Sequence, residues 1–234
     1  MSATSEIPTL QRIEYPESDG KPLGETDAHR REIRAIITML EQFFADQADV
    51  YVSGNLMFYY EKGNPSAVVS PDVFVVKGVP KKERRTYKLW EERKPPATIF
   101  EITSRSTRLE DKGTKRELFA MLRVREYFLF DPLAEYLKPP LQGFVLKGDE
   151  FVQIVPEPDG ALVSQELGLW LLREGSYLRL LDSATGQPLL RSSELDDARR
   201  AEAEARRAAE ARAQAAEDEV ERLRAELARL RGEH

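Results

Sequence analysis

Three charged side chains at ordered intervals have the types that chemistry needs. Asp72 follows Pro71 at the mouth of the apolar run Val73-Phe74-Val75-Val76. Glu101 lies inside Thr98-Ile99-Phe100-Glu101-Ile102-Thr103-Ser104, and Lys115 follows a short way on. A carboxylate within an apolar, β-branched run is costly to bury unless a hydrogen bond, a counter-charge or a bound cation compensates. Two such carboxylates close together repel unless a proton or cation lies between them. The chain has no cysteine and two histidines, which removes thiolate sites and leaves little room for a zinc centre or a histidine triad. An oxygen-rich donor set suits Mg2+ or Mn2+. A cation held there can bind a phosphate oxygen and lower the pKa of a water. It can also neutralise the charge that grows in phosphodiester hydrolysis, and an inward lysine can orient the water or the pentavalent transition state. The same residues admit a structural reading. Asp72 can be a turn acid, Glu101 can pair with Lys115 or an arginine, and Asp111 can pair with Lys115 along one helix. Spacing alone leaves both open.

The elements that must position these groups are legible from periodicity. Thr98–Ser104 reads as a buried strand with Ile99, Glu101 and Thr103 on one face. A helix capped by Ser106 or Thr107 and running to about Leu122 puts Asp111, Lys115, Leu118 and Leu122 on one stripe, so Lys115 should point inward. Arg125–Asp131 reads as a second strand, and strand-helix-strand implies a right-handed crossover within one sheet. Ahead of these, Asp27 reads as the N-cap of a helix to about Asp46, with Ile33, Ile36, Ile37, Leu40 and Phe44 inward and His29 in its first turn. His29 reads first as a surface residue and second as a residue facing a cleft. Val50–Tyr60 and Val68–Val76 read as two strands joined by a turn, and if the latter neighbours the Glu101 strand, Asp72 and Glu101 meet at one end of the sheet. Residues 143–190 read as short β elements, including a hairpin around Lys147-Gly148-Asp149-Glu150, that complete the sheet or offer a partner surface.

Residues 77–94 are basic, with Lys81, Lys82, Arg84, Arg85 and Lys88 interleaved with Tyr87 and Trp90. They read either as a phosphate grip with aromatics available to stack or as a solvated loop whose aromatics cover the core. The formal net charge of -6 argues against bulk-charge attraction to nucleic acid but allows a local patch. The N-terminus lacks a basic region followed by an apolar run, and no stretch reaches membrane-spanning length. The expectation is a soluble cytoplasmic protein with no membrane partner. The domain plan is a lead-in over 1–25, one α/β (α+β) domain over 26–191 and an Ala/Glu/Arg-rich helix over 192–234. In that helix Ala209, Ala213, Ala216, Val220, Leu223, Leu227 and Leu230 keep a/d spacing, which favours a homo-oligomer, a dimer or higher, over a lone solvated helix.

The ordered set Pro71-Asp72, Glu101-Ile102-Thr103-Ser104, Asp111 with Lys115, and Val124-Arg125-Glu126-Tyr127-Phe128 ending in Asp131-Pro132 resembles the Uma-type restriction endonuclease family of the PD-(D/E)xK nuclease superfamily. The resemblance spans roughly residues 25–180. It implies a restriction-endonuclease-like core, a mixed central sheet flanked by helices. It also implies Mg2+-dependent DNA cleavage to a 5′-phosphate and a 3′-hydroxyl. By resemblance Asp72, Glu101 and the carbonyl of Ile102 bind the metal; His29, Thr103, Ser104 and Asp111 are candidate supporting residues. The superfamily places a lysine two residues after the acid, where this chain has Thr103, so the resemblance assigns the ammonium to Lys115 instead. A protein of another class, a non-catalytic scaffold assembling through its C-terminal helix, is the alternative.

Overall fold

The computed structural model describes residues 13–18, 26–104 and 113–232. The chain divides into two units, Met1–Leu189 and Leu190–His234. Among the described residues no helix is long and apolar enough to cross a membrane.

The first unit is a mixed α+β domain. Helix α1 (Asp27–Phe43) opens on Thr26, whose hydroxyl accepts from the backbone N–H of His29, so the cap lies one residue before the expected Asp27. Strand β1 (Val50–Ser53) pairs antiparallel with β4 (Val73–Lys77), and β4 pairs antiparallel with β6 (Thr98–Ile102). Strand β7 (Glu126–Phe130) runs parallel to β6 after helix α3 (Thr114–Met121), as the crossover rule requires. Strands β8 (Leu141–Lys147) and β9 (Glu150–Gln153) form the expected hairpin and finish a six-stranded sheet in the order β1-β4-β6-β7-β8-β9.

Two long strands expected over 50–60 and 68–76 are instead each split between sheets. Strands β2 (Phe58–Tyr59) and β3 (Val68–Val69) leave the central sheet and join β5 (Tyr87–Lys88) in a small second sheet, order β3-β2-β5; β5 leads into the one-turn helix α2 (Leu89–Glu92). The switch happens where Asn55, at φ 50, donates its N–H to the carbonyl of Pro71 at 2.9 Å. Gly54 lies so near that a Cβ there would stand 2.1 Å from the carbonyl oxygen of Asp72. Residues 143–190 do not simply complete the sheet either. Strands β10 (Leu162–Ser164), β11 (Leu169–Glu174) and β12 (Tyr177–Asp182) make a third, antiparallel sheet.

Strand alternation explains the layers. Val73, Val75, Phe100, Ile102, Phe128 and Phe130 face α1 and the apolar side of the third sheet, where Leu169, Leu171, Leu178 and Leu180 are buried. Phe74, Val76, Ile99, Tyr127 and Leu129 face the other way, onto Phe119 of α3 and onto Phe58 and Tyr87 of the second sheet. Glu101 is on this second face, among residues that exclude water.

Glu126 pins the third sheet to the central one. Its Oε1 accepts the backbone N–H groups of Gln165 (2.8 Å) and Glu166 (3.1 Å), and its Oε2 accepts the Ser164 hydroxyl. Burial pushes its carboxyl above the usual glutamate range despite these bonds. A raised folded-state pKa means that the stabilisation is full below the ordinary glutamate pKa and is lost as pH rises through the folded value. Glu126→Gln keeps an acceptor for both N–H groups, so it should flatten that part of the stability-against-pH curve. Glu126→Ala orphans both donors, at roughly 1–3 kcal/mol each. Denaturant melts across weakly acid to neutral pH check both. Gly54→Ala should destabilise by overpacking, about 1–3 kcal/mol or more, and a thermal melt reads it.

The second unit is helix α4 (Ser192–Gly232), none of whose residues is buried.

Candidate active site

Asp72 and Glu101 lie at the same end of the sheet because β4 and β6 are neighbours and antiparallel. The register sets Val73 against Phe100, so the residue before β4 lies beside the last turn of the β6 pleat. Asp72 Oδ2 accepts the backbone N–H of Ile102 at 2.7 Å. That N–H is left to it because β4 begins only at Val73, and a carboxylate completes the ladder where the strand does not. The same oxygen lies 3.2 Å from Nε2 of His29, one turn into α1. His29 is buried against Asp72, so the surface reading does not hold.

Glu101 is 1% exposed. Its Oε2 accepts from Lys115 Nζ at 2.9 Å, a buried charge-assisted bond. Lys115 does point inward. The buried set of α3 is Lys115, Phe119 and Ala120, so the stripe runs through Phe119 where the sequence suggested Leu118. Thr103 lies just past β6 on the Glu101 face. Its N–H bonds the carbonyl of Phe130 at 2.7 Å, while its buried hydroxyl has no hydrogen-bond partner among the described residues. Ser104 is half-buried beyond it. Asp111, and the caps Ser106 and Thr107, lie outside the described residues.

Glu32 is a buried acid that the sequence reading did not single out. It lies three residues after His29 on the same face of α1, with Oε2 accepting the N–H of Leu178 at 3.0 Å and Oε1 3.5 Å from Arg31 Nε. The signal was present: i, i+3 from His29 and directly before Ile33 on the apolar stripe. Asp131, at the same end of the sheet as Glu101, spends its carboxylate on the backbone N–H groups of Leu133, Tyr136 and Leu137 and is structural.

The basic segment is largely neutralised by its own acids. Arg84, 3% exposed at its side chain, forks onto Glu92 at 2.8 and 3.0 Å and lies over the Tyr51 ring at 4.1 Å. That pairing holds the Glu92 carboxyl below its usual range. Lys82 also reaches Glu92 (3.4 Å), Lys88 reaches Glu91 (3.3 Å), and Lys81 Nζ bonds the carbonyls of Phe44 and Ala45. Arg85 pairs with Glu17 at 2.5 Å but remains 84% exposed. Tyr87 is fully buried, so the core-covering alternative describes it. Lys81, Lys82 and Arg84 line a cleft of about 620 Å3 beside β1, and its lining does not include Asp72, Glu101 or Lys115.

Among the described residues no three His, Asp or Glu side chains gather into a ready-made metal cluster. The oxygen groups at this end of β6 are the carboxylates of Asp72 and Glu101, the Ile102 carbonyl and the Thr103 hydroxyl. A hard cation that keeps several waters and takes one or two protein carboxylates fits that set. The hydroxyl left over at Thr103 is the kind of buried polar atom that an ion or ordered water satisfies.

A search of curated proteins finds no match. A crystal structure titled as a putative nuclease belonging to DUF820 from Anabaena variabilis aligns with 64% of this chain and 81% of its own, at 13% identity and a TM-score of 0.46. The model of the Uma2 family, described as "Putative restriction endonuclease", matches residues 3–173 and so encloses both acids, Lys115 and the whole central sheet. The chain belongs to the Uma2 restriction endonuclease family.

Proposed function

We propose that the protein is a metal-dependent DNA endonuclease whose site is Asp72, Glu101 and Lys115. The observation that carries this reading is the meeting of two buried acids at one strand end: Asp72 on the amide of residue 102, Glu101 on Lys115. A purely structural ion pair would account for Glu101 and Lys115, but it would not account for a second carboxylate, a histidine and, among the described residues, an unpartnered threonine hydroxyl at the same strand end.

Asp72, Glu101 and the Ile102 carbonyl would hold Mg2+ or Mn2+. Bound there, such an ion supplies Lewis acidity toward a phosphate oxygen and acidifies a water. The remaining work falls to the chain. Both bonds to Asp72 land on Oδ2, which fixes the carboxylate, and Oδ1 would be the oxygen offered to the ion. His29 orients Asp72 from α1. Lys115 holds Glu101, and its ammonium can offset negative charge on the phosphoryl oxygens as water attacks in line. The products would be a 5′-phosphate and a 3′-hydroxyl. Of the basic segment, Arg85 and Lys82 would be the residues to contact the DNA backbone, because their side chains are well exposed, at 84% and 57%. Arg84 acts as a structural fork.

The test is nicking of supercoiled plasmid with Mg2+ and with Mn2+. Glu101→Gln and Asp72→Asn should each lower the rate by about a hundredfold or more and abolish metal binding in calorimetry, with the folded state retained by circular dichroism, although Glu101→Gln lowers the melting temperature because it breaks the buried pair with Lys115. Undiminished cleavage by either variant would rule out the site. A blank in every metal and substrate condition would favour the non-catalytic scaffold. Lys115→Met should cost roughly 3–5 kcal/mol, because it removes one partner of a buried ion pair. Adding Glu101→Gln to it should return much of that loss, which chemical denaturation measures.

A further inference from the structure

Helix α4 carries an apolar stripe that a single chain leaves in water. Val220, Leu223, Leu227 and Leu230 are 45–60% exposed, and the helix buries none of its residues. Most helical stability in proteins comes from packing an apolar face, so this helix lacks the usual support. We infer that α4 pairs with α4 of a second copy as a parallel, in-phase, two-stranded coiled coil. The pairing does not depend on the nuclease reading.

Charge decides the orientation. In the heptad frame, Ala213, Val220 and Leu227 hold a, and Ala216, Leu223 and Leu230 hold d. The flanking g positions are then Arg212, Glu219 and Glu226, and the e positions are Glu217, Arg224 and Arg231. A parallel, in-phase pair sets each g residue against the e residue five further on in the other copy. Those pairs are Arg212 with Glu217, Glu219 with Arg224, and Glu226 with Arg231, and every one is of opposite sign. An antiparallel pair that sets Val220 against Leu223 of the other copy instead opposes Glu219 to Glu226 twice, a like-charge contact that the parallel pair avoids. A β-branched residue at an a position with leucine at d favours two strands, as Val220 and Leu223 do.

The stripe also extends further than the strict heptad. Carried upstream of Ala209, seven-residue spacing would put Arg206 and Glu202 in the seam. A run of four-residue steps instead keeps it on alanine, through Ala205, Ala201 and Ala198. Steps from Ala198 to Ala216 average about 3.6 residues, the pitch of a straight helix, and from Ala216 to Leu230 about 3.5, the left-handed supercoil. The leucine end anchors the pair, and the alanine stretch lets the backbones run close and nearly straight. Because the nuclease-family domain precedes α4 in the chain, a parallel pair joins both domains at the same end of the coil. If the proposed activity holds, two sites are then available to one duplex.

The chain's lack of cysteine makes orientation directly readable. In the full-length protein, Ala216→Cys alone and Leu230→Cys alone should each cross-link to a covalent dimer under mild oxidation. Sedimentation should give a dimer for the unmodified protein. Cross-linking only when the two variants are mixed would mean an antiparallel pair and overturn the proposal. A monomer, or a trimer, in sedimentation would also overturn it. Arg224→Glu with Arg231→Glu should weaken the dimer by about tenfold. Adding Glu219→Arg and Glu226→Arg to the same chain should restore it, which simple loss of helix would not allow.

Discussion

The central sheet ends where a carboxylate does the work of a missing strand. β6 runs two residues beyond its last β4 partner, and the amide of Ile102 is taken by Asp72 Oδ2 in place of a carbonyl. That bond draws the segment before β4 across the end of β6. The crossing in turn demands Gly54, because Asp72's own carbonyl occupies the space a Cβ would need. It also forces the chain to leave the central sheet on both sides of the crossing, which is why β2 and β3 belong to a separate small sheet. The site and the fold's most irregular feature are therefore one event: the backbone switches sheets at the place where the acid must point at β6.

The strand pair β6–β7 carries buried glutamates at both ends, and their surroundings separate their roles. Glu126, opposite Thr98, has both carboxylate oxygens engaged by donors from the 164–166 segment, two of them backbone amides. Backbone donors cannot follow a substrate, so this acid is a clamp, and its raised pKa reflects burial without a cation. Glu101, opposite Leu129, is held by an ammonium on a long, flexible side chain, beside a second acid and a threonine hydroxyl. Such a set can be rearranged by a ligand at modest cost, since a lysine Nζ moves by rotation about single bonds while a sheet amide does not. Buried ion pairs contribute little net stability over well-packed apolar residues. Stability alone therefore gives weak grounds for keeping Glu101 and Lys115 here.

What the sequence made legible is what side-chain periodicity encodes. Alternation put Glu101 and Thr103 on one face, the 3.6-residue stripe turned Lys115 inward, and the β6–α3–β7 crossover followed from element order. Local chemistry was less decisive. Thr26 and Asp27 are both good caps, and the choice rests on which oxygen meets the N–H of His29. The sheet switch at Asn55 and Pro71 was hidden because an apolar run reads as one strand whether or not it changes neighbours. Glu32 and His29 were underweighted because an acid and a histidine in a first turn usually meet solvent. Here the N–H of Leu178 and the carboxylate of Asp72, from segments 146 and 43 residues away in sequence, bury them. The basic run misled for a similar reason. Its composition showed the cations, but pairing such as Arg84 to Glu92 depends on a turn that brings residues eight apart together.

The position of the lysine is the most informative departure. In the superfamily pattern it stands two residues after the strand acid, on the same face, where this chain has Thr103. A strand position fixes Cα but lets only a long side chain reach forward to the acid's ligand. A position in the first turn of α3 approaches the same carboxylate from the covering layer, and Lys115 Nζ arrives at 2.9 Å from Glu101 Oε2. The exchange moves the charge without moving its endpoint. It leaves a short hydroxyl at the strand position, on the face of Glu101, which in the proposed site would serve a bound ion or its water. Catalysis by this chain would then couple to α3: anything that shifts the helix shifts the ammonium, while the two acids stay fixed to the sheet.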